Sequence, residues 1–236
     1  MINDPTRTPY ATPSAVGVKP DARLSSAFLT QAFAWMFAGL LLTAGVAWAV
    51  RNNPQALVFA QNWFLLIIIA QFALVIAISA AINKINATTA LGLFFIYAAS
   101  VGLSLGLIIY GYTEASVAQA FLSASAMFGG AAIYGAVTKR SLASMGGFLT
   151  MGLIGLIAAM VINIFLKSDG VTWLISIAGI GIFTALTAYD VQRIQAGDLA
   201  ARLGSMEKAA VIGALSLYLN FLNMFLFFLR LMGGRS

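Results

Sequence analysis

The sequence predicts an all-α membrane protein with seven transmembrane helices. Hydrophobic residues make up 61% of the 236-residue chain and charged residues only 8%, whereas about a quarter of the residues in soluble domains are charged. The hydrophobic residues fall into seven runs, each near the ~20 residues that a helix needs to cross ~30 Å of hydrocarbon. No proline interrupts any of the runs. A transmembrane barrel does not fit, because its strands are ~10 residues long with alternating polarity.

The elements follow in a simple order. Residues 1–26 form a polar leader with four prolines and no apolar core, so we predict a disordered segment and not a signal peptide. The transmembrane domain covers residues 27–236. Its predicted spans are 27–50, 58–82, 88–110, 116–137, 143–166, 171–193 and 208–232. Gly102 and Gly106 in the third span form a GxxxG motif, which is typical of helices that pack closely.

The basic residues predict how the chain is oriented. With the N-terminus inside, nine Lys and Arg residues lie in the inner segments of the chain and four in the outer segments. This bias favours a cytoplasmic N-terminus and a multi-pass protein of the cell's inner (plasma) membrane. The net charge of +6 does not indicate a nucleic-acid partner, since the basic residues are scattered singly between apolar runs. The expected partner is the lipid bilayer.

The residues that are missing exclude several classes of enzyme. The chain has no Cys and no His, which excludes disulfides, thiol nucleophiles, zinc–thiolate sites and the Ser-His-Asp triad. An intramembrane aspartyl protease needs two aspartates, and only Asp190 lies within a predicted span. We therefore expect no enzyme activity, no catalytic residue and no cofactor. A proton-coupled transporter stays open, because one buried carboxylate suffices for a proton relay.

A row of polar residues marks the last span. Ser216, Asn220 and Asn223 stand at i, i+4 and i+7 and so share one face of a helix. Polar side chains are unfavourable in hydrocarbon and usually face a partner or a water-filled cavity. The row predicts a buried polar centre with other helices packed around it. For Gln71 and Asn163, in the second and fifth spans, interhelical hydrogen bonds are a sufficient explanation.

A second polar face lies near the inner end of the sixth span. Thr184, Thr187 and Asp190 recur every three residues, so they lie roughly along one side of the helix. Asp190 is either a functional carboxylate or a helix-end residue that reaches water or pairs with Arg193, and the spacing leaves both readings open. Lys84, at the inner end of the second span, either snorkels to the interface or reaches Asp190.

Two segments resemble the Bax inhibitor family, also called the transmembrane Bax inhibitor motif family. Residues 213–225, Gly-Ala-Leu-Ser-Leu-Tyr-Leu-Asn-Phe-Leu-Asn-Met-Phe, resemble the family signature. Residues 188–194, Ala-Tyr-Asp-Val-Gln-Arg-Ile, resemble the Tyr-Asp element at the end of its sixth helix. The polar leader and seven runs match too, so the resemblance covers nearly the whole chain. It implies a fold whose last helix is central and wrapped by the other six.

The resemblance also implies a function, with one departure from the family pattern. Some members are pH-sensitive calcium leak channels, whose sensor is a pair of aspartates from helices six and seven latched by a basic residue of helix two. Asp190 matches the first aspartate, Lys84 lies near the place of the latch, and Asn220 stands where the second aspartate would be. Because Asn carries no charge, we expect a pH response that is weaker, or shifted to lower pH, than in members with both aspartates.

Two functions therefore compete. The first is a passive, pH-sensitive cation leak with calcium as the transported ion; Asp190 is its weak calcium candidate, helped by the oxygens of Asn220, Asn223, Thr184 and Thr187. The second is a non-conducting membrane regulator. The resemblance implies it because bacterial members of the family are also known as modulators of a membrane protease. In that case the polar leader would contact the partner.

Overall fold

The computed structural model describes residues 22–234, with side chains from residue 27 onwards. The predicted disordered leader thus lies outside the described residues, apart from its last few positions, where the first helix already begins at Ala22. The helices of the described part are α1 (Ala22–Arg51), α2 (Pro54–Asn62), α3 (Phe64–Ala81), α4 (Ala87–Tyr110), α5 (Glu114–Val137), α6 (Met145–Leu166), α7 (Asp169–Gln195), α8 (Asp198–Leu203) and α9 (Met206–Met232).

Seven of these helices are long and apolar enough to cross a membrane, which confirms the prediction of seven spans. They are α1, α3, α4, α5, α6, α7 and α9. The predicted and observed ends agree closely, except in the second span. The single run predicted over 58–82 is wrong at its start, because α2 ends at Asn62 and the spanning helix α3 begins at Phe64.

Helix α2 has a distinct backbone feature at each end. Asn53 caps α2 by accepting hydrogen bonds from two first-turn amides, and Pro54 occupies the first turn, where its missing N–H has no intrahelical acceptor. At Trp63 the backbone takes φ −104° and ψ 9°, which departs from helical values. The chain therefore forms two helices here, the short helix α2 and then the spanning helix α3.

Helix α9 forms the centre of the bundle, as the family resemblance implied. Of its most apolar window 67% is buried, against 11–39% for the other six spans. It packs directly against α1, α4, α5, α7 and α8. Its fully buried side chains include Tyr218, Leu217 and Met224. Burial on nearly all sides requires a helix that is apolar almost all round, which is the composition of this segment.

Helices α3 and α6 stand further out than the other spans. Only 11% of the most apolar window of each is buried. Within residues 22–234, α3 packs mainly on α4 and α6 on α7, and the two do not pack against each other along their lengths. Both face α9 across a cavity, since residues of all three helices line it.

Helices α1 and α4 pack closely at the GxxxG motif. A Cβ added at Gly102 would lie 2.6 Å from the Cβ of Val46. A Cβ added at Gly106 would lie 2.7 Å from the Cβ of Val50 and 2.8 Å from the carbonyl oxygen of Ala47. These separations are shorter than van der Waals contact, so the close approach depends on glycine.

This contact yields a stability prediction. Gly106→Ala should lower the free energy of unfolding by about 1–3 kcal/mol, because the added methyl group overpacks against backbone that cannot move aside cheaply. Gly92→Ala in the same helix is the matched control, since a Cβ there has no neighbour within 4 Å. Thermal unfolding of the purified variants in one detergent compares them. Equal melting temperatures for the two variants would contradict the proposed role of the motif.

Candidate functional site

A cavity of about 510 Å³ lies in the middle of the bundle, between α3, α4, α6, α7 and α9. Most of its wall is apolar. The polar or ionisable residues that line it are Gln71, Tyr97, Ser104, Asp190, Ser216, Asn220 and Asn223. Asp190 is the one charged side chain among the described lining residues. The polar groups come from four different helices, so the site exists only in the folded bundle.

Asp190 and Asn220 meet at the centre of the site. Nδ2 of Asn220 donates a hydrogen bond of 2.8 Å to Oδ2 of Asp190. Asn220 is buried and Asp190 partly buried. This contact confirms that the sixth and seventh spans meet with the acid facing the carboxamide. It also gives the carboxylate a donor, without which burial would be strongly unfavourable.

The other members of the polar row extend the site along α9. Ser216 and Asn223 line the same cavity as Asn220. Nδ2 of Asn223 donates 2.8 Å to the carbonyl oxygen of Leu219 in its own helix. The Asn223 amide is thus satisfied locally, whereas that of Asn220 links two helices. The i, i+4, i+7 spacing placed all three side chains on one face, and that face looks into the cavity.

Gln71 supplies polar groups on the opposite wall. Its Nε2 donates to the carbonyl oxygen of Ser100 at 2.9 Å and to Oγ of Ser104 at 3.0 Å. The expected interhelical hydrogen bond is therefore present, between α3 and α4. Asn163 likewise donates to Oγ1 of Thr172, at 2.7 Å, and so joins α6 to α7. Ser104 was not identified from the sequence, because serine is common in membrane helices and gives no signal there.

The cavity opens towards the side of the bundle. Phe72 of α3 and Ile157 of α6 both line it, yet they are 66% and 46% exposed. Both lie at the boundary between cavity and outer surface, where the two helices do not pack on each other. The polar residues of α9 lie on the far wall of this opening.

The structure does not bring three of the predicted residues into the cavity lining. Thr187 is fully buried, and its Oγ1 donates to the carbonyl oxygen of Phe183. Thr184 donates within its own helix to Ile180 and contacts Sδ of Met224 at 3.6 Å. Threonine in a helix interior commonly bonds the carbonyl one turn back, and neither hydroxyl lines the cavity.

Lys84 lies elsewhere too. It is exposed in the turn between α3 and α4 and, among the described residues, makes no ion pair with Asp190. The nearby α9 residue Lys208 donates to the carbonyl oxygen of Asn83 at 3.5 Å, which places this turn beside the first turn of α9. Asn220 is more than three turns further along α9, so the predicted latch geometry is absent.

A basic residue that acts on the site lies on α7 itself. Arg193 follows Asp190 by three residues and exerts a Coulomb attraction on the carboxylate. The two side chains do not form an ion pair within the described structure. The sequence had suggested Arg193 as an ion-pair partner of Asp190. In the structure Arg193 interacts with Asp190 only over a longer distance, without an ion pair. The basic residue that influences the carboxylate is thus on the same helix, and it is not the one expected from the second span.

A buried hydrogen-bond network next to the site holds α9 to α1. Oγ1 of Thr43 and the hydroxyl of Tyr218 are 2.6 Å apart, and Thr43 is also within 2.8 Å of the carbonyl oxygen of Ala98. The ring of Tyr218 packs edge-on against Phe94 and Tyr97. Sequence reasoning missed this network, because its partners are 175 positions apart.

The described part of the chain holds no group of three or more acidic, Cys or His residues that could bind a metal ion. Asp190 is the one carboxylate at the cavity. Its remaining neighbours there are amide and hydroxyl groups, which are ligands for hard cations but carry no charge. This donor set suits weak, transient contact with a cation.

These features define a polytopic membrane protein with a lone carboxylate at a central cavity. The family model described as "Inhibitor of apoptosis-promoting Bax1" matches residues 25–236. The chain belongs to the Bax inhibitor family.

Bacterial relatives are similar along most of their length. The "Inner membrane protein YbhL" of Escherichia coli strain K12 is 42% identical over 226 residues, which cover 92% of this chain and 95% of the relative. An uncharacterized protein of Borreliella burgdorferi is 41% identical over 222 residues, 92% of this chain and 96% of that one. The "Uncharacterized protein YrjE" of Lactococcus lactis is 38% identical over 213 residues, 88% and 91% of the two chains.

The different bonding of the two asparagines leads to a prediction. Asn220→Leu should lower the free energy of unfolding by about 1–3 kcal/mol, because Asp190 loses its hydrogen-bond donor and stays buried. Asn223→Leu should leave stability unchanged or raise it, since its amide bonds only its own helix. Thermal unfolding in a single detergent measures both variants. A larger loss for Asn223→Leu than for Asn220→Leu would contradict the assignment.

Proposed function

We propose that the protein is a passive cation leak, with calcium as a transported ion and Asp190 as the residue that attracts it. The observation that carries the proposal is the lone carboxylate at a cavity of about 510 Å³ among the spans. In such surroundings, where the effective dielectric constant is near 20, two unit charges ~4 Å apart interact by about 4 kcal/mol. One carboxylate thus provides an attraction that offsets part of the cost of dehydrating a passing cation. The role needs no catalytic residue and no cofactor.

We propose that the protein lies in the inner membrane of the cell and that its N-terminus is in the cytoplasm. Six Lys and Arg residues lie in or beside the turns that join α3 to α4, α5 to α6 and α7 to α9: Lys84, Lys139, Arg140, Arg193, Arg202 and Lys208. We call this the basic end of the bundle. The opposite end carries fewer basic residues in the described structure. The positive-inside rule supports a cytoplasmic basic end.

Weak binding is part of the proposal. Calcium sites with high affinity use several carboxylates and six to eight oxygen ligands. The cavity offers the carboxylate of Asp190 together with the side-chain oxygens of neutral residues such as Asn223 and Ser216. We therefore expect calcium affinity in the millimolar range or weaker, which agrees with a site that an ion must leave quickly in order to pass.

One observation favours the alternative, a non-conducting regulator that binds a membrane partner such as a protease. The amide donors of Asn220 and Asn223 are both satisfied by protein acceptors. Hydrogen bonds between polar side chains specify how helices pack. That role is a sufficient explanation for these polar residues, without a bound ion. Under this alternative the cavity would be a packing feature, and purified protein would not conduct.

Ion flux distinguishes the two functions. Calcium flux into proteoliposomes that contain the full chain should fall at least about tenfold in Asp190→Asn, equivalent to about 1.4 kcal/mol, because the substitution keeps the shape and removes the charge. Glu114→Gln is the matched control, since that carboxylate is 88% exposed and lies 3.7 Å from Arg51, away from the cavity. No flux above empty liposomes in the wild type and in both variants would sink the leak and favour the regulator.

The response to pH gives an independent test. Protonation of Asp190 removes the charge that attracts the cation, so flux should decrease as pH falls. The other ionisable groups near it are Arg193 on the same helix and Tyr97 across the cavity. Asp190→Asn should abolish the decrease. Asn220→Asp should move it to higher pH, because two adjacent carboxylates share a proton.

The pH titration also tests whether Asp190 is the group that senses pH and whether positions 190 and 220 are paired. A decrease that persists unchanged in Asp190→Asn would mean that another group senses pH. A profile that Asn220→Asp leaves where it was would contradict the proposed pairing of positions 190 and 220. Both variants need the wild-type elution profile and helical content before the flux is compared.

A further inference from the structure

A second pocket lies at the basic end, apart from the central cavity. It measures about 480 Å³, within the ~300–1,000 Å³ typical of ligand sites. Its wall is formed by the turn between α5 and α6 and by the last turns of α7 and α8. The charged residues that line it are Lys139, Arg140, Arg193, Arg202 and Asp198. Four cations against one carboxylate leave a formal charge of +3.

The cations of this pocket lack a close acidic partner within residues 22–234, and Arg193 attracts Asp190 only over a longer distance. None of the four forms an ion pair with an acidic residue in the described part of the chain. Helices α5 and α7 both end at the pocket, and each C-terminus contributes about −0.5 of an elementary charge. Those two helix ends balance only about one of the three net positive charges. The pocket therefore presents an excess of positive charge to a ligand.

The pocket is held in shape by hydrogen bonds. Nε2 of Gln192 donates to the carbonyl oxygen of Arg140 at 2.8 Å, and Oε1 of Gln192 accepts from the amide of Leu142 at 2.7 Å. A single side chain of α7 thus fastens the turn that carries Lys139 and Arg140. Preorganised cations lose less entropy when they bind an anion. Helix α6 begins just beyond this turn, which directs its positive end towards the same region.

Helices α5 and α6 leave a strip of the α7 surface exposed between them, and we call this strip the groove. Helices α5 and α6 each pack on α7, but within the described residues they do not pack on each other along their lengths. Ile177, Gly181, Ala185 and Tyr189 follow one another on α7 at four-residue spacing, so they lie on one face. Ile177 is 43% exposed, a Cβ added at Gly181 would meet nothing within 4 Å, and Tyr189 lines the pocket.

We propose that this pocket binds the phosphate of an anionic glycerophospholipid, with an acyl chain lying in the groove between α5 and α6. Arg and Lys form strong charge-assisted hydrogen bonds with phosphate oxygens. Basic pockets at the ends of membrane helices on the cytoplasmic side suit anionic headgroups. The apolar groove favours a lipid over a soluble phosphate compound, because a soluble anion would use the cations alone.

The first experiment tests the cations. Binding of dioleoyl phosphatidylglycerol and dioleoyl phosphatidylcholine to the purified full chain is measured by native mass spectrometry. Wild type should prefer the anionic lipid at least tenfold, and Arg140→Gln/Arg202→Gln should lose that preference. Lys84→Gln/Lys208→Gln removes two cations from the same end but outside the pocket, and should behave as wild type. Equal preference in all three proteins would overturn the proposal.

The second experiment distinguishes a lipid from a soluble phosphate. Gly181→Leu fills the groove at a position with free space, so the variant should fold normally. It should weaken binding of the anionic lipid while binding of glycerol 1-phosphate stays as weak as in the wild type. Unchanged lipid binding in Gly181→Leu would refute the acyl-chain position. Competition by glycerol 1-phosphate or inorganic phosphate as strong as that of the lipid would identify a soluble anion as the ligand instead.

Discussion

The hydrogen bond between Asn220 and Asp190 is the contact on which the centre of the molecule depends. A carboxylate among membrane spans needs a donor, and α9 supplies it at 2.8 Å. The bond also sets how α7 and α9 lie along each other. On one side of it Gly213 approaches Ile194, where an added Cβ would come within 2.9 Å, and on the other Gly179 lies against the ring of Phe227. Sliding one helix by a residue would break the bond and create clashes at both glycines.

Packing is distributed unevenly around this pair. Helices α1 and α4 approach so closely that Gly102 and Gly106 admit no added Cβ, whereas α3 and α6 are mostly exposed and leave the cavity between them. A well-packed interior has few voids larger than a water molecule, so a void of about 510 Å³ beside a carboxylate is a specific feature. The tight side keeps the polar groups in place while the loose side leaves space for a ligand or ion.

Much of the fold was predictable because hydrophobic length determines how often a chain crosses a membrane. The face shared by Ser216, Asn220 and Asn223 was predictable too, since helical periodicity fixes which residues lie together. The depth of a side chain along the bundle and the identity of its contact partner were not predictable. Lys84 and Asp190 both lie towards the basic end of the bundle. Lys84 is in a turn beside the first turn of α9, whereas Asp190 bonds Asn220, more than three turns further along α9. The bond between Thr43 and Tyr218 joins distant segments, and no local pattern specifies such a contact. The break at Trp63 directly follows Gln61 and Asn62, but two polar residues inside a long hydrophobic run were not enough to predict a break in the helix.

The sideways opening of the cavity between Phe72 and Ile157 has a practical consequence for anyone who handles the protein. Surfactant tails are apolar and narrow, as are the chains of natural lipids, so extraction from the membrane offers this recess a new occupant. Material that carries such a tail would differ from the native form at this recess, whatever its sequence. Complete removal of the solubilising agent is therefore part of any valid transport assay on this molecule.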